Sequence, residues 1–195
     1  MPKASRGGLR VIAGEFRGRR IAVPAGRATR PTADRVREAL FSLLGPVDGL
    51  DVLDVFAGSG ALGIEALSRG AASATFVESD HRALGVIRQN LGVLGLTDRA
   101  RVVGADWRQA LVREAAAGRQ FGLCVIDPPY TLLMKILSEL GDVIAPVLAP
   151  GARLVLERSS RTPPPEFPTL HTASRIDRVY GDTTLTVLWT AEDGG

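Results

Sequence analysis

The chain has 195 residues, 45% hydrophobic and 23% charged, with a net charge of +3. These values suit one soluble domain with a substantial core. No apolar run approaches the roughly 20 residues of a membrane-spanning helix, and the basic N-terminus lacks the apolar segment of a signal peptide. One cysteine and two histidines far apart in sequence (His81, His171) provide neither a disulfide nor a metal-ligand spacing. The expectation is a cytoplasmic, monomeric protein with no metal and with Cys124 as a core thiol.

The small net charge hides an asymmetry. Residues 1–37 carry Lys3 and nine arginines against Glu15 and Asp34, a net +8, which leaves −5 for the remainder. A basic arm on a mildly acidic body fits a phosphate-rich partner, and arginine favours bidentate phosphate contacts and stacking on bases. The candidate contacts to such a partner are Arg6, Arg10, Arg17, Arg19, Arg20, Arg27, Arg30 and Arg35. A solvated basic tail is the competing reading.

In chain order, 9–14 and 19–24 read as two β-like runs joined by a turn at Glu15–Gly18. A loop follows from Pro24 to Pro31. Thr32 is a plausible N-cap for a helix placing Val36, Leu40, Leu43 and Leu44 on one face, stopped by Gly45-Pro46. From residue 51 the pattern becomes βαβα. Strand-like runs at 51–56, 74–78, 101–104, 122–126 and 152–157 enclose helical stretches near 61–69, 80–94, 107–117 and 131–148. This alternation predicts an α/β fold with a mostly parallel, doubly wound sheet. After a proline-rich loop at 163–168, runs 172–180 and 183–190 around Gly181-Asp182 read as an antiparallel closing hairpin at the sheet edge.

Chemistry-bearing residues gather where strands end. Asp54-Val55-Phe56-Ala57-Gly58-Ser59-Gly60-Ala61-Leu62-Gly63 links the first strand of this series to its helix and satisfies GxGxxG. That fingerprint alone also suits NAD. Asp54, however, would repel a pyrophosphate and hold an ammonium, and Glu78 can accept both hydroxyls of a ribose. An ammonium and a ribose without phosphates describe S-adenosylmethionine (SAM), whose carboxylate can face the helix N-terminus at Gly60. Its candidate contacts are Asp54, Phe56, Gly58, Ser59, Gly60, Glu78, Ser79, Asp106, Trp107 and Asp127. Asp106 reads either as an acceptor for the adenine amine or as an N-cap, and Trp107 either as a cover for the ring or as core.

The next strand ends at Asp127-Pro128-Pro129-Tyr130. Prolines have no N–H, so this corner presents acceptors beside a ring; alternatively, Pro-Pro merely ends a strand. Beside a methyl donor the corner acquires a chemistry. Accepting both N–H bonds of a base amine, at the Asp127 carboxylate and the Pro128 carbonyl, aims the nitrogen lone pair at the methyl group, and Tyr130 can stack on a flipped base. Asp127, Pro128, Pro129 and Tyr130 are the candidate catalytic residues.

These residues resemble the amino-methylating class I SAM-dependent methyltransferases, marked by the Asn/Asp-Pro-Pro-Tyr/Phe tetrapeptide. Arg10–Gly14, Phe16–Arg19, Arg30-Pro31-Thr32, Asp34–Glu38, Asp54–Gly60 and Tyr180–Thr183 narrow the resemblance to the RsmD family. It implies a Rossmann-like class I methyltransferase fold, with a seven-stranded, mostly parallel sheet and an antiparallel last strand. It also implies a basic hairpin arm at 1–31 before a catalytic domain at 32–195, and methylation of guanine N2 in 16S ribosomal RNA within the small subunit or its assembly intermediate. A nicotinamide-dependent oxidoreductase and a non-catalytic RNA-binding assembly factor are the alternatives, along with methylation of another RNA or DNA amine.

Overall fold

A computed structural model describes residues 8–24 and 31–192. It begins with two short strands, β1 (Leu9–Arg10) and β2 (Arg20–Ile21), paired antiparallel, and helix α1 (Pro31–Leu44). The α/β series follows: β3 (Asp51–Val55), α2 (Ala61–Ser68), β4 (Ser73–Glu78), α3 (His81–Leu94), β5 (Ala100–Gly104), α4 (Trp107–Ala116), β6 (Phe121–Ile126), α5 (Tyr130–Ile144) and β7 (Leu148–Ser159). The chain closes with β8 (Thr172–Tyr180) and β9 (Thr183–Thr190).

The main sheet has seven strands in the order β5-β4-β3-β6-β7-β9-β8. The first five are parallel, and β9 runs antiparallel to both neighbours. The expected fold class is therefore found, with one refinement. The final hairpin does not simply extend the edge: β9 inserts between β7 and β8, and β8 forms the edge.

Side-chain alternation along the strands sorts the core into two layers. Val52, Phe76, Val125 and Val155 pack with Leu40, Phe41, Leu44, Ile64, Leu67, Ile87 and Leu91 from α1, α2 and α3. Leu53, Val55, Val77, Ile126, Leu154 and Leu156 pack with Leu111, Leu133, Ile136 and Leu140 from α4 and α5. Cys124 belongs to this second layer and is fully buried, which with the nearby Asp54 charge pushes its thiol pKa up, as a core thiol requires. The strand order reverses between β3 and β6, so their carboxyl ends border the switch crevice.

The N-terminal hairpin differs from the expected 9–14 and 19–24 strands. It is regular over only two residues on each side: Val11 N still bonds the Arg19 carbonyl across the hairpin, but the N–H groups from Ile12 on bond elsewhere. Ile12 N and Ala13 N donate to the buried Glu65 carboxylate at 2.8 and 3.0 Å, and Phe16 N donates to Ser68 Oγ at 3.0 Å. Val11 and Ile21 enter the first core layer. Arg37, 5% exposed, donates to the Arg10 carbonyl and to Asp34, so α1 fastens the hairpin from its other side. Thr32 is not the N-cap. The helix already includes Pro31, whose missing N–H costs nothing in a first turn.

Candidate active site

The glycine loop is held by carboxylates rather than by a phosphate-binding pattern. Gly63 N donates to Asp54 Oδ2 at 2.9 Å, and Gly58 N donates to Glu78 Oε2 at 2.9 Å. Glu78 Oε1 accepts from Ser79 N and Asp80 N at 2.8 and 2.9 Å. Gly60, the residue before α2, has φ 78°, a left-handed conformation that glycine adopts without strain. At Gly63 the need is space: a Cβ would lie 2.3 Å from the Phe76 ring. Phe56 has φ 64°, which is costly for a bulky residue and directs the chain sharply out of β3 into the loop.

The acids share one sheet face. Asp54 and Glu78 alternate with residues of the α4–α5 layer and so project toward α1–α3. Asp54 is 1% exposed, and its pKa rises to about 8, chiefly by burial and then by the charges of Asp127 and Glu78; the Gly63 N–H works in the opposite direction. Asp127 is exposed one residue past β6, and its N–H reaches toward the Val55 carbonyl at 3.4 Å, joining the corner to the end of β3. Pro128 is buried and Pro129 exposed. The Pro129 carbonyl is taken by Leu132 N and Leu133 N as α5 begins, which assigns that proline to starting the helix. The Tyr130 side chain lies outside the described residues.

At the third strand end, Asp106 Oδ1 caps α4 by accepting from Arg108 N and Gln109 N. The N-cap reading is thus realised, with the residue still exposed on the edge. Trp107 is 6% exposed in the α4–α5 core layer, its ring centroid 6.3 Å from that of Phe56, so core packing accounts for it. Ser59 is buried, and its carbonyl accepts from Asn90 Nδ2. Ser79 is exposed beside Glu78.

Arg10, Arg17, Arg19, Arg20 and Arg35 are exposed, whereas Arg6, Arg27 and Arg30 lie outside the described residues. The hairpin runs along α2. Its turn sits at Ser68, the end of α2 remote from the glycine loop, and its open end sits at Asn90, which bonds Ala22 as well as Ser59. The eight residues of α2 span about 12 Å, so Arg10 and Arg20 stand nearer the acids than Arg17 does. A cleft of about 430 Å³ lined by Asp51, Thr75, Arg99, Arg101 and Arg119 lies at the amino ends of the strands, away from this chemistry. Among the described residues no His, Cys, Asp or Glu group could hold a metal ion, and no helix is long and apolar enough to cross a membrane.

The sequence pattern did not single out Glu157 at the end of the apolar run in β7. It is half-buried, and its pKa is raised to about 8 by burial and then by Asp127. Its signal was the same as that of Asp54 and Glu78, an acid ending a buried strand.

Comparison with known proteins places this geometry. A family model described as "Conserved hypothetical protein 95" matches residues 9–189. The "Ribosomal RNA small subunit methyltransferase D" of Escherichia coli strain K12 is 44% identical over 139 residues, 70% of this chain and 68% of that protein. The "Putative rRNA methyltransferase YlbH" of Bacillus subtilis strain 168 is 47% identical over 125 residues, 63% of this chain and 67% of that one. A solved structure of the putative methyltransferase yhhF from Escherichia coli superposes with a TM-score of 0.80 at 34% identity, covering 96% of this chain and 100% of that one. The family model spans the described chain from β1 into β9, and the chain belongs to this family, the RsmD methyltransferases.

Proposed function

We propose that the protein transfers a methyl group from SAM to the exocyclic N2 amine of a guanine in 16S ribosomal RNA, acting as a cytoplasmic monomer on the small subunit or its assembly intermediate. The rRNA methyltransferase activity follows from the family. The observation that carries the finer reading is the acceptor-only edge: Asp54, Glu78 and Asp127 converge around a glycine loop and continue into two prolines. This acceptor set fits SAM, whose ammonium would pair with Asp54 and whose ribose hydroxyls would reach Glu78, and it would repel a dinucleotide pyrophosphate.

SAM supplies a methyl group on a sulfonium, which leaves as a neutral thioether. The protein's share is to hold the nucleophile. A guanine N2 lone pair is delocalised into the ring. Two acceptors, the Asp127 carboxylate and the Pro128 carbonyl, take its two N–H bonds and favour a tetrahedral nitrogen whose lone pair points at the methyl carbon. As the N–C bond forms the nitrogen becomes cationic, and exposed Asp127 takes the departing proton and passes it to solvent. Glu78 also braces the site, since its Oε2 accepts from Gly58 N and so holds the loop.

The test is tritium transfer from labelled SAM to 16S RNA or small subunits lacking the modification, with the product nucleoside resolved by mass spectrometry. Asp127→Ala is expected to lower methyl transfer by about 10²–10³-fold, the size of a lost transition-state acceptor. Full activity in Asp127→Ala, or label found on an adenine amine, would overturn the assignment.

A further inference from the structure

A second carboxyl stands beside the one assigned to the reacting amine. The β6–β7 ladder pairs Val125 with Val155 and Ile126 with Leu156, so the next two positions, Asp127 and Glu157, are neighbours across a strand spacing of about 4.8 Å. Leu154 and Leu156 point into the α4–α5 layer and Val155 into the α1–α3 layer. Glu157 therefore leaves β7 on the same face as Asp54. On its other flank β9 presents Leu185, fully buried and uncharged, opposite Glu157. Among the described residues the Glu157 side chain makes no hydrogen bond and no ion pair, its backbone being paired with β9. Burial and the Asp127 charge keep its carboxyl protonated up to about pH 8. A half-buried carboxyl without a side-chain hydrogen bond among the described residues, one strand from Asp127, is placed to meet a base whose amine Asp127 holds.

We infer that Glu157 is the residue that reads the base, its carboxyl pairing with the N1–H and O6 edge of a guanine whose N2 amine is held at Asp127. This rests on the guanine-N2 reading above and adds to it the residue that makes the site selective. The geometry of a guanine explains the fit. Its N1–H lies next to the C2 amine on the Watson–Crick edge, so an amine at Asp127 brings N1–H to the neighbouring strand position. A neutral carboxyl there accepts N1–H at its carbonyl oxygen and donates its own O–H to O6. A base with a bare ring nitrogen beside its amine leaves at least one of those bonds unmade.

The test replaces the target guanine of a reconstituted RNA substrate by 2-aminopurine, which keeps the C2 amine but has neither N1–H nor O6. Wild type is expected to prefer guanine by at least about tenfold in kcat/KM, a floor below the roughly 10⁴–10⁵-fold by which a site built for hydrogen bonds rejects an analogue lacking them. Glu157→Ala should bring that preference down at least fivefold, with SAM affinity unchanged. Glu157→Gln, which retains a carbonyl and a donor, should keep it. A merely structural role would lower both substrates together and leave the ratio intact, and that result overturns the inference. So does a wild-type preference near one, a measurement that needs no variant. If wild type methylates neither RNA at this amine, the guanine-N2 reading itself fails; guanine methylation with a ratio indifferent to Glu157 sinks only the base-reading role.

Discussion

If Asp54 pairs with the SAM ammonium as proposed, its raised pKa ties cofactor binding to pH. With its carboxyl titrating at about 8 in the ligand-free protein, ionisation is the step that an ammonium-bearing ligand must drive. The ionised fraction is then about 0.3% at pH 5.5 and about 9% at pH 7, so SAM affinity should rise roughly 30-fold over that interval. Below pH 7 the ligand's own α-ammonium stays largely charged, so the slope belongs to the protein. Calorimetry in buffers of different ionisation enthalpy should register about 0.9 proton released per SAM bound at pH 7. The sign also holds for stability without ligand. The folded state binds this proton more tightly than the unfolded state does, so Asp54's contribution to stability falls as pH rises from about 4 to about 8. Asp54→Asn keeps an acceptor for Gly63 N and removes the titration, and its SAM affinity should be nearly flat over the same range. A wild-type affinity that does not change with pH, or a variant that retains the slope, refutes the pairing of Asp54 with the ammonium.

The hairpin provides two further tests. Gly14 has φ 80°, and a Cβ there would lie 1.8 Å from the Ser68 carbonyl, so Gly14→Ala should undock the turn. Gel-shift titration should then show RNA affinity reduced at least tenfold while SAM binding persists; unaltered RNA affinity would mean that the docked hairpin does not present the arginines. Arg10→Ala and Arg20→Ala should each lower the slope of log affinity against log salt by about one, and Arg17→Ala by less, since Arg17 lies at the remote end of α2. Equal slopes for all three would place the RNA along the whole hairpin rather than across its open end.

What was legible in the sequence was what local pattern encodes. Alternating apolar runs gave the strands and helices to within a few residues, and Asp54 through Gly63 carried strand, turn and helix start in ten consecutive positions. The misses depend on distant partners. Residues 11–14 look β-competent, but Glu65, more than fifty positions away, takes the N–H groups of Ile12 and Ala13. Glu157 ends an ordinary-looking strand and gains meaning only because β7 lies beside β6. Phe56 gives no sign of its left-handed backbone, since the glycines around it are the residues that advertise such turns. The insertion of β9 between β7 and β8 is likewise invisible to periodicity, which reads the same for an edge strand and its inner neighbour when both alternate.

These long-range contacts converge on α2. The glycine loop enters its first turn, and Asp54 grips that turn through Gly63 N. Glu65 in its middle and Ser68 at its end hold the hairpin, and Glu65 also accepts from Arg69 and lies 3.7 Å from the Arg37 guanidinium. Asn90 completes the tie, bonding the loop at Ser59 and the hairpin at Ala22 from one buried side chain. The element that would position the methyl donor in the proposed reaction is therefore also the one that positions the basic hairpin. A base amine that is intrinsically a poor nucleophile depends on alignment with the methyl carbon, and alignment is degraded by any play between the two halves of the site. Buried, fully bonded polar groups such as Asn90 have well-defined geometries and resist such play better than an apolar contact that can slide. The polar residues inside this small core are thus best understood as fixing the distance between the arm and the acceptor edge, while the apolar layers supply the stability.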